Sequence, residues 1–413
     1  MYGKYERSQN DRMSVALSNL KKEVTEKTRS AIHAYGAEVD DEKTREMIEE
    51  VLFSLPESEF LSSRLLARTA DRIFCQIRRE LGILAPLAED GSITEIMVNG
   101  PDHIFIEKDG KILKSEYFFD TTEELEEVIR RIAAHVHREI NEMVPILDAR
   151  LENGDRVNAV YKNIALGGPS LSIRKFPKKA MTMEMLIESG SITNEAAVFL
   201  EKIVRAGYNC FISGGTSSGK TTFLNVLSGY IPKNERIVVI EDSAELQLSG
   251  AENLVRMECR NANLQGKGEI DLEMLIRTSL RMRPDRIIVG EVRGGECMEM
   301  LQAMNTGHSG MSTGHANSAN GMLRRLEAMY LQKASFPIEA IREQIAQGID
   351  ILIHLGRVEG KGRKVMEITE IQGLSENKFI LNKLFEYKFN GCLTATGNRM
   401  ARTEKLEMAG IVL

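Results

Sequence analysis

The chain is expected to be an α/β protein, with a mainly parallel sheet in its C-terminal half, a smaller α/β unit before it and a helical N-terminal extension. Three observations carry that expectation. Beyond residue 180, short apolar runs ("NCFIS", "RIVVIED", "NLVRMEC", "RIIVGEV", "GMSTGHA") alternate with helical stretches, the pattern of a parallel sheet with helices on both faces. The first of these runs enters "GGTSSGKTT", where Gly214, Gly219, Lys220 and Thr221 keep the spacing Gly-x-x-x-x-Gly-Lys-Thr of a loop that cradles phosphate. From about residue 83 the texture changes to short alternating segments closed by Asn-Gly and Asp-Gly, the marks of antiparallel strands and tight turns.

Residues 1–82 hold long charged, periodic stretches, "DEKTREMIEEVLFSL" and "SSRLLARTADRIFCQIRREL", separated by Pro56 and poor in β-branched residues. They read as helices. The polar first dozen residues are expected to be disordered, as polar termini often are.

Residues 83–178 read as the small α/β unit. "SITEIMVNG", "HIFIEKDG" and "KILKSEYFF" are strands, and "RVNAVYK" and "SLSIRKF" are two more. Between them, Leu125, Val128, Ile129, Ile132 and Val136 keep helical spacing over 122–138, and Thr121 with Glu124 is expected to form a capping box. "FPKKAMT" then reads as a linker, with a hinge at about 177–182.

Residues 179–413 carry the phosphate loop. Backbone N–H groups of a Gly-rich loop nest phosphate oxygens, and the following helix adds the partial positive charge of its N-terminus. Gly214, Gly215, Thr216, Ser217, Ser218, Gly219, Lys220, Thr221 and Thr222 are the expected nucleotide contacts, with Lys220 neutralising the β- and γ-phosphates and Thr221 ligating Mg²⁺. "RIVVIEDSAEL" places Glu241, Asp242 and Glu245 after one strand, and "DRIIVGEVRGGE" places Glu291 after another. Carboxylates at the carboxyl ends of parallel strands share the crevice of the nucleotide, where they hold the metal or orient the attacking water. The commonest phosphate-loop pattern ends that second strand with Asp; here Gly290 and Glu291 stand instead. His308 and His315 flank a small-residue strand, and either could hydrogen-bond a γ-phosphate; the alternative for each is a satisfied structural histidine. His135 and His137 are weaker candidates, since positions i and i+2 of a helix face apart.

Composition bounds the reading. A length of 413 residues suggests two or three domains, and 42% hydrophobic with 28% charged residues describes an ordinary globular chain. No apolar run approaches the ~20 residues that span a bilayer, and "MYGKYERSQNDRM" lacks a signal peptide's apolar core, so a cytoplasmic location is expected. Five scattered cysteines, Cys75, Cys210, Cys259, Cys297 and Cys392, suggest neither a disulfide framework nor a zinc ribbon, and most are expected to be buried. A net charge of −6 argues against nucleic acid as partner. The basic run "GKGRK" at 360–364 reads as a solvated hairpin turn.

In order along the chain, "GGTSSGKTT", "IEDSAEL", "RIIVGEVRGGE" and "NTGHSGMSTGHANSA" resemble the Walker A, Asp box, atypical Walker B and His box of the ATPase superfamily of type II and type IV secretion systems and type IV pili. The wording "MVNGPDHIFIEKDGKI", "PILDARLENGDRVNAV" and "SLSIRKF" is similar to the Flp/Tad tight-adherence pilus branch, and the similarity runs from about 80 to about 375. The resemblance implies a RecA-like ATPase domain behind a smaller PAS-like domain, a hexameric ring, and an active site between the two domains. It implies hydrolysis of ATP with Mg²⁺, the metal held near Thr221, Glu241 and Glu291, with Glu291 acting on the water and Glu241 and Asp242 tuning the metal shell. Arg150, Arg156 and Arg174 stand where the family reaches nucleotide phosphates, and Arg293 is a further candidate. The implied task is powering assembly of a pilus or protein secretion across the inner membrane, peripherally docked on an inner-membrane platform protein, without nucleic acid or zinc. Retraction, type II secretion and a nucleotide-gated scaffold are the alternatives; the missing four-cysteine module disfavours the usual type II motor. A small-molecule kinase would need an acceptor pocket and lid that the sequence does not signal.

Overall fold

The computed structural model describes residues 2–35, 38–108, 110–176, 181–248, 250–260, 262, 267–388 and 391–413. They separate into two compact units, Met1–Lys178 and Lys179–Leu413. Residues 177–180 of the expected linker and hinge lie outside the described residues, as does Asp109 of the Asp-Gly turn.

The first unit opens with α1 (Tyr2–Tyr35), α2 (Asp41–Phe53) and α3 (Ser63–Arg78). The helix begins at Tyr2, so the first dozen residues are helical rather than disordered. Local chemistry fixes the later starts: Asp40 accepts the Lys43 N–H at 2.7 Å and Ser62 that of Leu65, satisfying donors a helix leaves orphaned. Leu20, Val24, Ile48, Leu52, Ile73 and Phe74 form their shared core. A short helix, α4 (Ala85–Glu89), leads into β1 (Ile93–Asn99), β2 (Ile104–Lys108) and β3 (Lys111–Lys114); then come α5 (Thr122–His135), β4 (Ile146–Arg150), β5 (Arg156–Val160) and β6 (Ser170–Arg174). Among the described residues these strands make one antiparallel sheet, ordered β3-β2-β1-β6-β5-β4. The apolar stripe of α5 packs on alternate residues such as Ile96, Val98, Val157, Leu171 and Ile173.

Two expectations need correction in this unit. Thr121 does cap α5 through the Glu124 N–H, but the Glu124 carboxylate reaches the N–H of Asp120, not Thr121, so the box closes one residue early. The helix also stops at His135, and His137 lies beyond it at φ +54°. The two histidines are separated by the helix end rather than by helical phase.

The second unit contains α6 (Met183–Glu188), α7 (Asn194–Arg205), β7 (Cys210–Gly214), α8 (Lys220–Ser228), β8 (Arg236–Glu241), β9 (Asn253–Glu258), α9 (Leu272–Ser279), β10 (Arg286–Val289), α10 (Cys297–Asn305), β11 (Ser309–His315), α11 (Ala319–Lys333), α12 (Ile338–Gly348) and β12 (Ile351–Val358). The strands pair in parallel in the order β9-β8-β10-β11-β7-β12. Side chains alternate between two cores: Cys210, Ile212, Val239 and Ile288 join α7 and α8 on one face, while Phe211, Val238, Ile287 and Val289 join α9–α12 on the other. Burial on both faces is why these strands read as continuous apolar runs. Beyond β12 the sheet turns antiparallel through β13 (Gly362–Ser375), β14 (Lys378–Lys388) and β15 (Cys392–Ala395), followed by α13 (Glu404–Met408). The "GKGRK" hairpin is therefore present, but it belongs to a sheet extension longer than the sequence suggested. Buried Asp350 accepts from the Asn209 N–H and pairs with Arg402 and Lys405, fastening the C-terminal segment to the base of the sheet.

All five cysteines are free; Cys210 and Cys297 are buried, Cys75 and Cys259 half-buried and Cys392 exposed, so burial holds for only two. No helix among the described residues is long and apolar enough to cross a membrane.

Candidate functional site

The phosphate loop bridges β7 and α8 at the carboxyl edge of the parallel sheet. Its glycines have separate reasons. A Cβ on Gly214 would lie 2.5 Å from Ser218 Oγ and 2.7 Å from the Leu355 carbonyl. Gly219 caps α8 at φ +93°, the left-handed region that glycine enters without cost. Ser217 is itself left-handed at φ +57°, so the crest of the loop is a tight turn. Lys220 is 7% exposed. Its Nζ donates to the Gly215 carbonyl at 3.2 Å and stands 3.3 Å from His315 Nδ1. Burial, more than any charge, lowers its pKa, leaving a partly dehydrated cation at the mouth of the loop.

Facing it is a cluster at the ends of β8, β10 and β11. Glu291 Oε2 accepts from Arg293 at 2.9 Å, and His315 Nε2 lies 2.9 Å from Glu291 Oε1 without the alignment of a hydrogen bond. Asp242 is 3.6 Å from Arg293. The His315 pKa is lowered, by burial first and then by the Lys220 charge, against the raising effect of Glu291; near neutral pH the ring is uncharged. Register makes the cluster: His315 pairs with Gly214 across β11 and β7, and Thr313 Oγ1 donates to the Gly290 carbonyl at 2.8 Å.

Glu241 behaves differently. It is 3% exposed, and its Oε1 accepts the N–H groups of Glu245 at 2.7 Å and Leu246 at 2.9 Å. Burial raises its pKa and those two bonds oppose the rise. The carboxylate therefore anchors the 242–246 turn. A Cβ on residue 290 would come within 3.1 Å of Glu241 Cγ, which explains why glycine holds the position where Asp is commonest. Among the described residues no group of three His, Cys, Asp or Glu side chains could hold a metal ion, and Glu241 Oε1 is already engaged by the turn it anchors.

The remaining candidates fall elsewhere. His308 precedes the seven-residue strand Ser309–His315, at the opposite end from His315, so roughly 20 Å of strand keeps it from the loop; its Nδ1 meets Thr306 Oγ1 at 3.3 Å. Arg150, Arg156 and Arg174 belong to the first unit, where antiparallel register sets Arg150 opposite Arg156 and Arg156 opposite Arg174. They form one row on the face away from α5. Arg150 also donates to the Gly154 carbonyl and lies over the Phe176 ring.

Two contacts with the loop were not anticipated. His354 on β12 is buried with its Nδ1 2.9 Å from Ser213 Oγ, and burial lowers its pKa. Arg363, inside the run read as a solvated turn, donates Nε–H to the Ser217 carbonyl at 2.9 Å. The β7–β12 pairing, 141 residues apart in sequence, brings these groups in; no local signal marks them.

The loop fits a phosphate chain. Among the described residues Gly215 opens on free space, Ser218 Oγ is buried without a hydrogen-bond partner, and the Lys220 ammonium contacts a carbonyl and a neutral ring. Thr221, at the start of α8, and Glu291 are the residues that would be candidates to hold a metal there.

Across residues 78–410 the chain matches the family described as type II/IV secretion system protein. It is 32% identical over 318 residues to the conjugal transfer protein TrbB of Rhizobium radiobacter, covering 76% of this chain and 94% of that one. It is 33% identical over 321 residues to the type IV secretion system protein PtlH of Bordetella pertussis, covering 71% and 95%. Among solved structures, the ATPase DotB of Legionella pneumophila aligns at a TM-score of 0.51 and 21% identity over 68% of this chain and 78% of that one, a likeness of fold.

Proposed function

The chain belongs to the type II/IV secretion system protein family, with a RecA-like phosphate-loop domain behind a smaller α/β domain, and from that premise we propose that it is a motor ATPase. The reading is hydrolysis of ATP with Mg²⁺ by a homohexamer that drives assembly of a Flp (Tad) pilus, or related secretion, from the cytoplasmic side of the inner membrane through a platform protein. The observation that carries the enzymatic part is the facing of buried Lys220 by Glu291, Arg293 and His315. A cation and a set of polar groups on adjoining strand ends surround the place where a terminal phosphate would lie.

In this reading the N–H groups of Gly214–Thr221 and the start of α8 bind the phosphates, with Thr216, Ser217, Ser218 and Thr222 along the chain. Bound Mg²⁺ supplies charge neutralisation to the phosphate oxygens. Glu291 orients the attacking water, and neutral His315 donates to the terminal phosphate. Asp242 holds Arg293, and Glu241 shapes the turn that carries Asp242. Arg150, Arg156 and Arg174 present a row of guanidinium groups suited to phosphate oxygens.

The test is phosphate release by the purified full chain at ring-forming concentration, wild type beside Glu291→Gln. Loss of a water-orienting or general-base group costs about 10²–10⁴-fold in rate, with nucleotide binding retained. Wild-type protein that binds ATP and releases no phosphate would sink the motor and leave a nucleotide-gated scaffold.

A further inference from the structure

The "GKGRK" hairpin touches the phosphate loop at several points. Gly214 packs under the Leu355 carbonyl, Ser213 meets His354, Arg363 Nε donates to Ser217, and Arg363 Cδ lies 3.2 Å from where a Cβ on Gly219 would be. The crest held by Arg363 is the left-handed turn at Ser217, a conformation that costs a non-glycine residue free energy unless its surroundings hold it.

Register adds a second observation. Arg357 on β12 is the direct cross-strand partner of Arg363 on β13, and both are exposed. Like charges directly opposed across a ladder destabilise the pair, and among the described residues neither guanidinium lies within ion-pair distance of a carboxylate. An anion beside them would remove the repulsion. The pair also sits on a defined side of the loop: β7 lies between β11 and β12, with Gly214 opposite His315 on one flank and Leu355 on the other. Glu291 and His315 occupy the β11 flank and Arg363 the β12 flank.

We infer that Arg363 is a further nucleotide-binding residue: it holds the Ser217 crest through Nε and offers its Nη groups, backed by Arg357, to phosphate oxygens remote from the terminal phosphate. This rests on the nucleotide reading above. Because its flank is not that of Glu291, Arg363 supports binding of ADP and ATP alike and leaves the cleavage step alone. Lysine keeps the charge but not the fork, so it restores only part of the effect.

The experiment is equilibrium binding of Mg-ADP and of a non-hydrolysable ATP analogue, with steady-state turnover, on full-length wild type, Lys220→Ala, Arg363→Ala, Arg363→Lys and the neighbouring control Lys361→Ala. Arg363→Ala is expected to weaken both nucleotides by about tenfold or more, the loss of one charge-assisted hydrogen bond, and to raise KM while kcat stays within about twofold. Arg363→Lys should fall between, and Lys361→Ala should match wild type. If Lys220→Ala loses affinity while Arg363→Ala binds ADP like wild type, or if Arg363→Ala lowers kcat at unchanged affinity, the inference is overturned and the nucleotide reading stands. Wild type that binds no nucleotide overturns both. Arg363 is exposed, and unchanged thermal unfolding of the variant shows that its fold is intact.

Discussion

Replacing Gly290 by Asp restores the residue that commonly ends this strand in phosphate-loop proteins, and the packing around it means the change should destabilise this one. A Cβ at 290 would lie 3.1 Å from Glu241 Cγ and 3.6 Å from Oε1. Glu241 cannot retreat freely: it is 3% exposed, and its Oε1 is held by the N–H groups of Glu245 and Leu246. Moving it by a few tenths of an ångström stretches both bonds, and overpacking a close-packed interior costs ~1–3 kcal/mol. The Asp carboxylate adds a second negative charge beside a group whose pKa burial already raises, about 2–3 kcal/mol more. The sum is about 3–6 kcal/mol. For a domain of this size each kcal/mol lowers Tm by roughly 2–4 °C, so Gly290→Asp should melt at least about 6 °C below wild type, with Gly290→Ala in between. Adding Glu241→Gln to the Asp variant removes the charge repulsion and should recover part of the loss. Thermal unfolding of the nucleotide-free protein by circular dichroism measures all four proteins. An Asp variant as stable as wild type would refute the packing argument.

Other consequences follow from the same geometry. His354 and His315 are held below the ordinary 6.5 by burial, so the unfolded chain takes up protons first as pH falls; their contribution to stability is complete above pH 6.5 and is lost as pH drops through the lowered folded values. His354→Gln should flatten that acid-side loss in denaturant unfolding at about pH 7.5 and about pH 5.5, and an unchanged slope would contradict it. Native thiol labelling should modify Cys392 first: burial pushes Cys210 and Cys297 up to about 12 and Cys259 up to about 11, whereas Cys392 is exposed. Cys392→Ser should abolish the fast phase. Gly214→Ala, whose added Cβ meets the Leu355 carbonyl at 2.7 Å, should lose nucleotide binding by more than about tenfold, as read by ADP titration.

What the sequence displayed was whatever depends on near neighbours. The strands of the parallel sheet are buried on both faces and so read as unbroken apolar runs, and the loop is eight consecutive residues. Glu291 was visible because it stands two residues past the end of β10. β4 was missed because an edge strand with exposed Ile146 and Asp148 has little burial to imprint on its residues. His308 was misplaced because two histidines seven residues apart look equivalent in a sequence, although a strand of that length carries them to opposite ends. Glu241 looked like a metal ligand for a similar reason. Its bonds to Glu245 and Leu246 depend on how the turn folds back, which composition does not encode.

Gly290 and Arg363 show how such hidden terms shape visible residues. The missing Asp is a packing consequence of Glu241, and the basic turn is part of the loop's support. A related argument joins the two units without reference to their arrangement. Arginines stand directly opposite arginines at Arg150, Arg156 and Arg174 in one sheet and at Arg357 and Arg363 in the other. Each alignment costs stability by itself, and each could be relieved by a neighbouring carboxylate. In the first row Arg174 also stands opposite Glu95. A shift of one residue would turn these guanidinium groups to the core face and is forbidden by the apolar pattern, so the register gathers them where an anion would be drawn to them. A phosphate chain is such an anion, and the loop between β7 and α8 is built to hold one.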